Sequence, residues 1–229
     1  PLSRALLALM TFMFKLVPNY GVVIVLLSIL IKVAFYPLTV SGLRSMREMQ
    51  RIQPEMERLR KKYADDPQKL QGAMMALYKD NKINPVGGCL PLLLQMPVFI
   101  ALYPVLANSV ELRHAGFFGW IKDLSAPDVF LSIGSFDIHV LPALMAVTML
   151  WQQKLTPTDP RQAAMTYMMP VMMLFFLYTS PSGLTLYWTM LNLLSVAQQY
   201  LINRESPPTA AAPALVVGRG RPAAKASAR

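Results

Sequence analysis

Residues 20–39 read YGVVIVLLSILIKVAFYPLT. About 20 predominantly apolar residues at 1.5 Å rise match the ~30 Å hydrocarbon core of a bilayer, so the run predicts a membrane-spanning helix. One side chain inside it, Lys32, does not suit lipid. An ammonium at membrane depth costs roughly 2.5–3.5 kcal/mol even on insertion scales, which makes an intramembrane cation a functional candidate facing protein or water. The bland alternative is a lysine that snorkels to the headgroups, because Pro37 closes the run five residues later.

Composition supports a membrane setting. Of 229 residues, 54% are hydrophobic and 15% charged, with a mean hydropathy of +0.38, which points to several spans rather than a soluble core. The net charge of +10 is distributed in a way that fits membrane orientation better than a nucleic-acid face. The single cysteine, Cys89, excludes an intramolecular disulfide and a cysteine metal site, and His114 and His139 stand too far apart in sequence to suggest one. The chain begins at Pro1 rather than Met, which reads as a fragment or processed product.

Around the central run the chain divides by composition. Residues 1–17 are apolar but carry Arg4 and Lys15 eleven residues apart on nearly one helical face, the pattern of an amphipathic helix lying in the interface. Residues 40–85 hold ten Lys/Arg and six Asp/Glu. Their apolar seam, Leu43, Met46, Met49, Ile52, Met56, Leu59 and Tyr63, has helical spacing. Asp65-Asp66-Pro67 breaks that helix, with Asp66 as N-cap of a second one whose stripe is Leu70, Met74 and Leu77. The expected product is a soluble antiparallel hairpin from Leu43 to Lys82. Its methionines form either a core or an adaptable partner-docking surface.

Four further spans are expected at about 87–109, 138–153, 163–180 and 183–203, separated by a mixed loop at 111–137 and a small polar loop near 153–162. Phe117, Phe118, Trp120 and Phe130 in the first loop fit an interfacial belt. Pro91, Pro97 and Pro104 predict a bent second span, and the Pro181-Ser182 turn predicts that the last two spans are antiparallel. Residues 205–229 read as a disordered basic tail. With the hairpin, the 153–162 loop and the chain from Arg204 on one side, seventeen of the 22 Lys/Arg lie there and four lie opposite. That bias places the N-terminus outside and the hairpin and C-terminus in the cytoplasm. The fold class is therefore an all-α polytopic membrane protein: five transmembrane helices, a cytoplasmic helical hairpin and an N-terminal interfacial helix.

Polar residues recur inside these spans. Ser28 and Tyr36 lie one turn either side of Lys32, Thr185, Thr189, Asn192 and Gln199 form one stripe, and Gln95, Thr148 and Gln152 add further groups. Individually each reads as an interhelical hydrogen bond worth ~0.6–2 kcal/mol. Together they predict a wet cavity around Lys32, whose charge no deep carboxylate neutralises. A Ser28–Lys32 nucleophile–base pair finds no supporting motif, and no glycine-rich phosphate loop occurs, so an enzyme is not expected.

NPVGGCLPLLLQMPVFIALY at 84–103, SVELRHAGFFGWIKDLSAPD at 109–128, PSGLTLYW at 181–188 and MMALYK at 74–79 closely resemble the YidC membrane-protein insertases of bacterial inner membranes. The similarity runs from about Pro18 to Arg204. It implies a five-helix core, 18–204, with a hydrophilic groove open to cytoplasm and lipid, through which hydrophobic segments of nascent proteins pass into the bilayer without any cofactor. By this resemblance the groove cation falls on Lys32 and its neighbouring hydroxyl on Ser28. The glutamine of QMP is Gln95, and the aromatic pair after the PSG turn is Tyr187 and Trp188; the polar stripe adds Thr185 and Asn192. The usual arginine is replaced here by lysine, which keeps the charge but loses the planar fork. The ribosome, the Sec translocon and the signal recognition particle pathway are partners on the same ground. A small-solute transporter using Lys32 is the alternative, although no repeated broken-helix pattern supports it.

Overall fold

A computed structural model describes residues 2–84, 87, 90–134, 136–155 and 160–205. Nearly all of the basic tail and part of the 153–162 loop, with Cys89, lie outside the described residues. The fold is mostly helical. Among the described residues there are eight α-helices: α1 Leu2–Leu16, α2 Tyr20–Ala34, α3 Tyr36–Lys62, α4 Pro67–Asp80, α5 Leu90–Asn108, α6 Val140–Leu155, α7 Pro160–Leu177 and α8 Ser182–Glu205. A two-stranded antiparallel ribbon, β1 Leu131–Ile133 and β2 Phe136–Ile138, pairs Ser132 with Asp137. The sequence reading made this stretch plain loop, and the ribbon adds a small β element to the expected all-α class.

The opening run does not continue as one straight helix to Thr39. It breaks at Phe35, and the axes of α2 and α3 meet at 66°. Pro37 is the cause: it has no N–H for the Val33 carbonyl, and its ring would collide with that carbonyl in an unbroken helix. Proline is harmless where it now sits, in the first turn of α3, since N–H groups there have no helical acceptor. The Thr39 N–H and hydroxyl both donate to the Phe35 carbonyl at 2.9 Å, so the corner is hydrogen-bonded. At 15 residues α2 is about 22 Å long. Among the described residues no single helix is both long and apolar enough by itself to cross a membrane, whereas the bent pair α2–α3 has the length and composition.

Helix ends follow local chemistry. Asn19 caps α2, its side-chain oxygen accepting from the Val22 N–H at 3.1 Å, and Phe14 stacks on Tyr20 at 4.1 Å to fix the turn between α1 and α2. Asp66 caps α4 by accepting from the Lys69 N–H at 3.0 Å. Ile52 and Met56 of α3 share a small apolar cluster with Met74, Leu77 and Tyr78 of α4 and with the buried Ile83. The main core lies elsewhere. Helix α8 packs against α2, α5 and α6, and α1 packs on α2 and α5. Val23, Leu27, Leu102, Leu106, Met145, Leu184 and Tyr187 are fully enclosed between them.

The N-terminus of α8 is held by the long loop after α5. The Ser182 N–H donates to the Ala126 carbonyl (2.8 Å), the Gly183 N–H to that of Leu124 (2.9 Å), and the Ser182 hydroxyl to that of Asp123 (2.7 Å). A Cβ at position 183 would come within 3.0 Å of the Leu124 carbonyl oxygen, which accounts for glycine there.

Candidate functional site

Lys32 lies in the last turn of α2 and is half-buried. Its Nζ is 3.5 Å from Oε1 of Gln198 on α8, the outer limit of a hydrogen bond. A neutral amide at that distance orients the ammonium without discharging it, and among the described residues no carboxylate lies within ion-pair range. Tyr36, placed on the Lys32 face by the unbroken-helix reading, falls beyond the corner and is exposed. Ser28 is fully buried and donates to the Ile24 carbonyl of its own helix at 2.8 Å, so it spends its proton on the backbone.

The polar residues of α8 divide between two faces. At 100° per residue, Thr185, Thr189, Asn192 and Gln199 fall within about 80° of one another, while Tyr187 and Gln198 share the opposite face within about 20°. The first stripe looks toward α6: Gln199 Nε2 donates to the Leu155 carbonyl at 2.7 Å. Thr185 and Thr189 return their hydroxyls to the Pro181 and Thr185 carbonyls, at 3.3 and 2.7 Å. The second face meets α2 and α5. Gln95 Nε2 donates to the Tyr187 hydroxyl at 2.8 Å; Trp188, on the Gln199 side of the helix, also reaches α5 and packs edge-on against Phe99 at 5.1 Å. Tyr187 and Gln198 are eleven residues apart, about 16 Å along the helix. The expected groups thus do not cluster around Lys32; they are spread along α8.

Gln198 was missed by reading the sequence, where it looked like the neighbour of the stripe residue Gln199. The signal available was its shared helical face with Tyr187. Among the described residues three buried polar atoms find no protein partner: Asn192 Nδ2 and Gln198 Nε2 on α8, and Gln153 Oε1 on α6. Buried amides are rarely left so, and each of these atoms has hydrogen-bonding capacity to spare for a water or another polar group. The described residues hold no His/Cys/Asp/Glu group suited to a metal.

The outer surface is of the opposite character. On α7, Met165, Met168, Val171, Met172, Phe175 and Phe176 are all exposed, Phe175 by 83%. A helical bundle that turns large apolar side chains outward, with buried amides and a half-buried lysine, has the surface character of a membrane protein.

The family model described as 60Kd inner membrane protein matches residues 12–209, and the chain belongs to that family, the family of the YidC insertases. The protein named membrane protein insertase YidC of Methylobacillus flagellatus is 52% identical over 199 residues, which are 86% of this chain and 35% of that protein. The YidC of Geobacter sulfurreducens is 48% identical over 205 residues, 89% of this chain and 37% of its own length. The crystal structure of an active YidC insertase with its first transmembrane domain resolved superposes with a TM-score of 0.69 at 32% identity, covering 86% of this chain and 45% of that one. The chain therefore spans a little over a third of the length of these curated relatives.

Proposed function

We propose that this chain is the core of a membrane-protein insertase and chaperone, which guides hydrophobic segments of nascent proteins into the bilayer along a hydrophilic, positively charged interior. The observation that carries this reading is Lys32: half-buried on an apolar helix, held at 3.5 Å by a neutral amide, and so charged toward whatever passes. The relatives named as membrane protein insertases supply the reaction class.

The chemistry is a lowered barrier. Carrying a polar or acidic segment across hydrocarbon is opposed by its desolvation, several kcal/mol for each unsatisfied group. A fixed cation and buried amides with spare hydrogen-bonding capacity replace part of the lost hydration, while the hydrophobic part of the substrate leaves sideways into lipid. No nucleotide hydrolysis or covalent step enters. In this reading the chain crosses the bacterial inner membrane five times with its N-terminus outside, α1 lies in the interface, and the Leu43 to Lys82 hairpin and basic tail face the cytoplasm. There they meet the ribosome, the Sec translocon or the signal recognition particle pathway. The seventeen-to-four partition of Lys/Arg supports that orientation.

The test is insertion of a single-span substrate into proteoliposomes. A carboxylate passing about 8 Å from Lys32 at an effective dielectric near 20 gains about 2 kcal/mol, roughly 30-fold in occupancy. Lys32→Gln is expected to impair substrates with acidic translocated segments by about that factor and neutral ones far less, with Lys32→Arg active. Equal insertion of both substrates by all three proteins would refute the role of the cation.

A further inference from the structure

Asp128 is a buried carboxylate that the polar interior does not use. It is 3% exposed and lies in the loop between α5 and α6. Its Oδ2 accepts three hydrogen bonds: from Trp120 Nε1 at 3.0 Å, the Val140 N–H at 3.0 Å and the Leu141 N–H at 2.8 Å. The last two are the first free N–H groups of α6, where the positive end of the helix dipole also favours an anion. The backbone of the same residue is held as well, since the His139 ring Nδ1 pairs with the Asp128 carbonyl. Trp120 is braced edge-on by Phe130 at 5.6 Å, and His139 by Tyr178 at 4.6 Å.

One side chain thereby ties two parts of the loop, Trp120 and Asp128 itself, to the first turn of α6. The loop in turn lies across the ends of two core helices. It accepts from Ser182 and Gly183 at the start of α8, and Phe117 presses on Gly21 at the start of α2. Lys32 meets α8 at the other end, beside Gln198. The polar faces of α8 run between these ends, so the loop caps the bundle at the end opposite Lys32.

We propose that Asp128 is a positioning residue: it latches the loop of residues 113–134 over the starts of α2 and α8 and holds that end of the bundle shut, opposite the Lys32 end. This rests on the insertase reading for its purpose. The geometry, three donors on one buried carboxylate oxygen, stands without it.

The test uses the full chain with Cys89→Ser and a single reporter, Thr185→Cys, in the first turns of α8. A membrane-impermeant maleimide is added to spheroplasts, on the face that carries the loop. Protection of the reporter is expected in the parent protein. Asp128→Ala is expected to label faster by about tenfold or more, the change that loss of one charge-assisted hydrogen bond corresponds to. Asp128→Asn, which keeps an acceptor oxygen, is expected to fall between the two. Met145→Ala, a fully buried α6 core change, serves as a control matched for loss of thermal stability. Labelling of Asp128→Ala at the parent rate, or of Met145→Ala as fast as Asp128→Ala, would overturn the latch. Failure of the parent protein to insert a single-span substrate would instead overturn the insertase reading and leave the labelling result intact.

Discussion

Gly21→Ala isolates how tightly the loop grips the helices. In most helix interiors this exchange raises stability by about 0.5–1 kcal/mol, because alanine loses less backbone entropy on folding. Here a Cβ would lie 2.1 Å from Cδ2, 2.4 Å from Cγ and 2.6 Å from Cβ of Phe117. Carbon atoms pack at about 3.5–4.0 Å, so the phenylalanine must retreat by more than about 1 Å. Rotating the ring cannot suffice, since its own Cβ is one of the atoms in the way. The backbone would have to follow, and it is held by the Phe117 N–H donating to the Ile121 carbonyl at 2.9 Å. Overpacking of this kind costs about 1–3 kcal/mol, or about 2–12 °C in Tm for a domain of this size. The assay is thermal unfolding in detergent micelles, followed by circular dichroism. Phe117→Ala removes two of the three clashing atoms and leaves the Cβ at 2.6 Å, so in that background Gly21→Ala is expected to cost clearly less than in the parent while still destabilising. The reasoning is refuted if Gly21→Ala melts at or above the parent temperature, or if the two losses add to within about 0.5 kcal/mol.

Other perturbations read different parts of the molecule. Gln95→Leu and Tyr187→Phe each break the 2.8 Å amide–hydroxyl bond, and a double-mutant cycle on unfolding should return a coupling of about 0.6–1.7 kcal/mol, the range for polar pairs between membrane helices. Gln198→Leu should weaken insertion of acidic substrates less than Lys32→Gln does, since it removes an orienting amide and leaves the charge. A greater loss would make the amide, not the cation, the working group. Burial pushes the Asp123 carboxyl up, but the Ser125 hydroxyl and N–H, donating at 2.7 and 2.8 Å, outweigh it and hold the group below the usual carboxylate value. A depressed folded value stabilises above the unfolded pKa of about 3.9 and is lost as pH falls through the folded value. Ser125→Ala should therefore move acid unfolding to higher pH, seen as Tm against pH from about 5 to 2. Asp66→Ala removes the cap on Lys69, and hydrogen exchange should speed in the first turn of α4 while α6 and α8 keep their protection.

The amino-acid sequence by itself determined the helical composition, the charged segment after the opening run, the Asp66 cap and the motifs that point to the family. These follow from periodicity, turn chemistry and residue type, which act over a few neighbouring residues. Pro37 was legible too as the close of the run, but the angle it imposes was not, because a 66° corner depends on what the two helices pack against. Only the tertiary structure decided which polar side chains meet. Ser28 and the threonines of α8 turn back to their own helices, and Lys32 finds Gln198 across 166 positions of chain. A helix offers several faces, and spacing alone does not say which neighbour each one meets. The same holds for Asp128, which in sequence sits after a proline in a loop and in the structure anchors Trp120 and the first turn of α6. Its donors are backbone groups and an indole brought together from 8 to 13 positions away, a convergence set by how the loop folds over the helix ends.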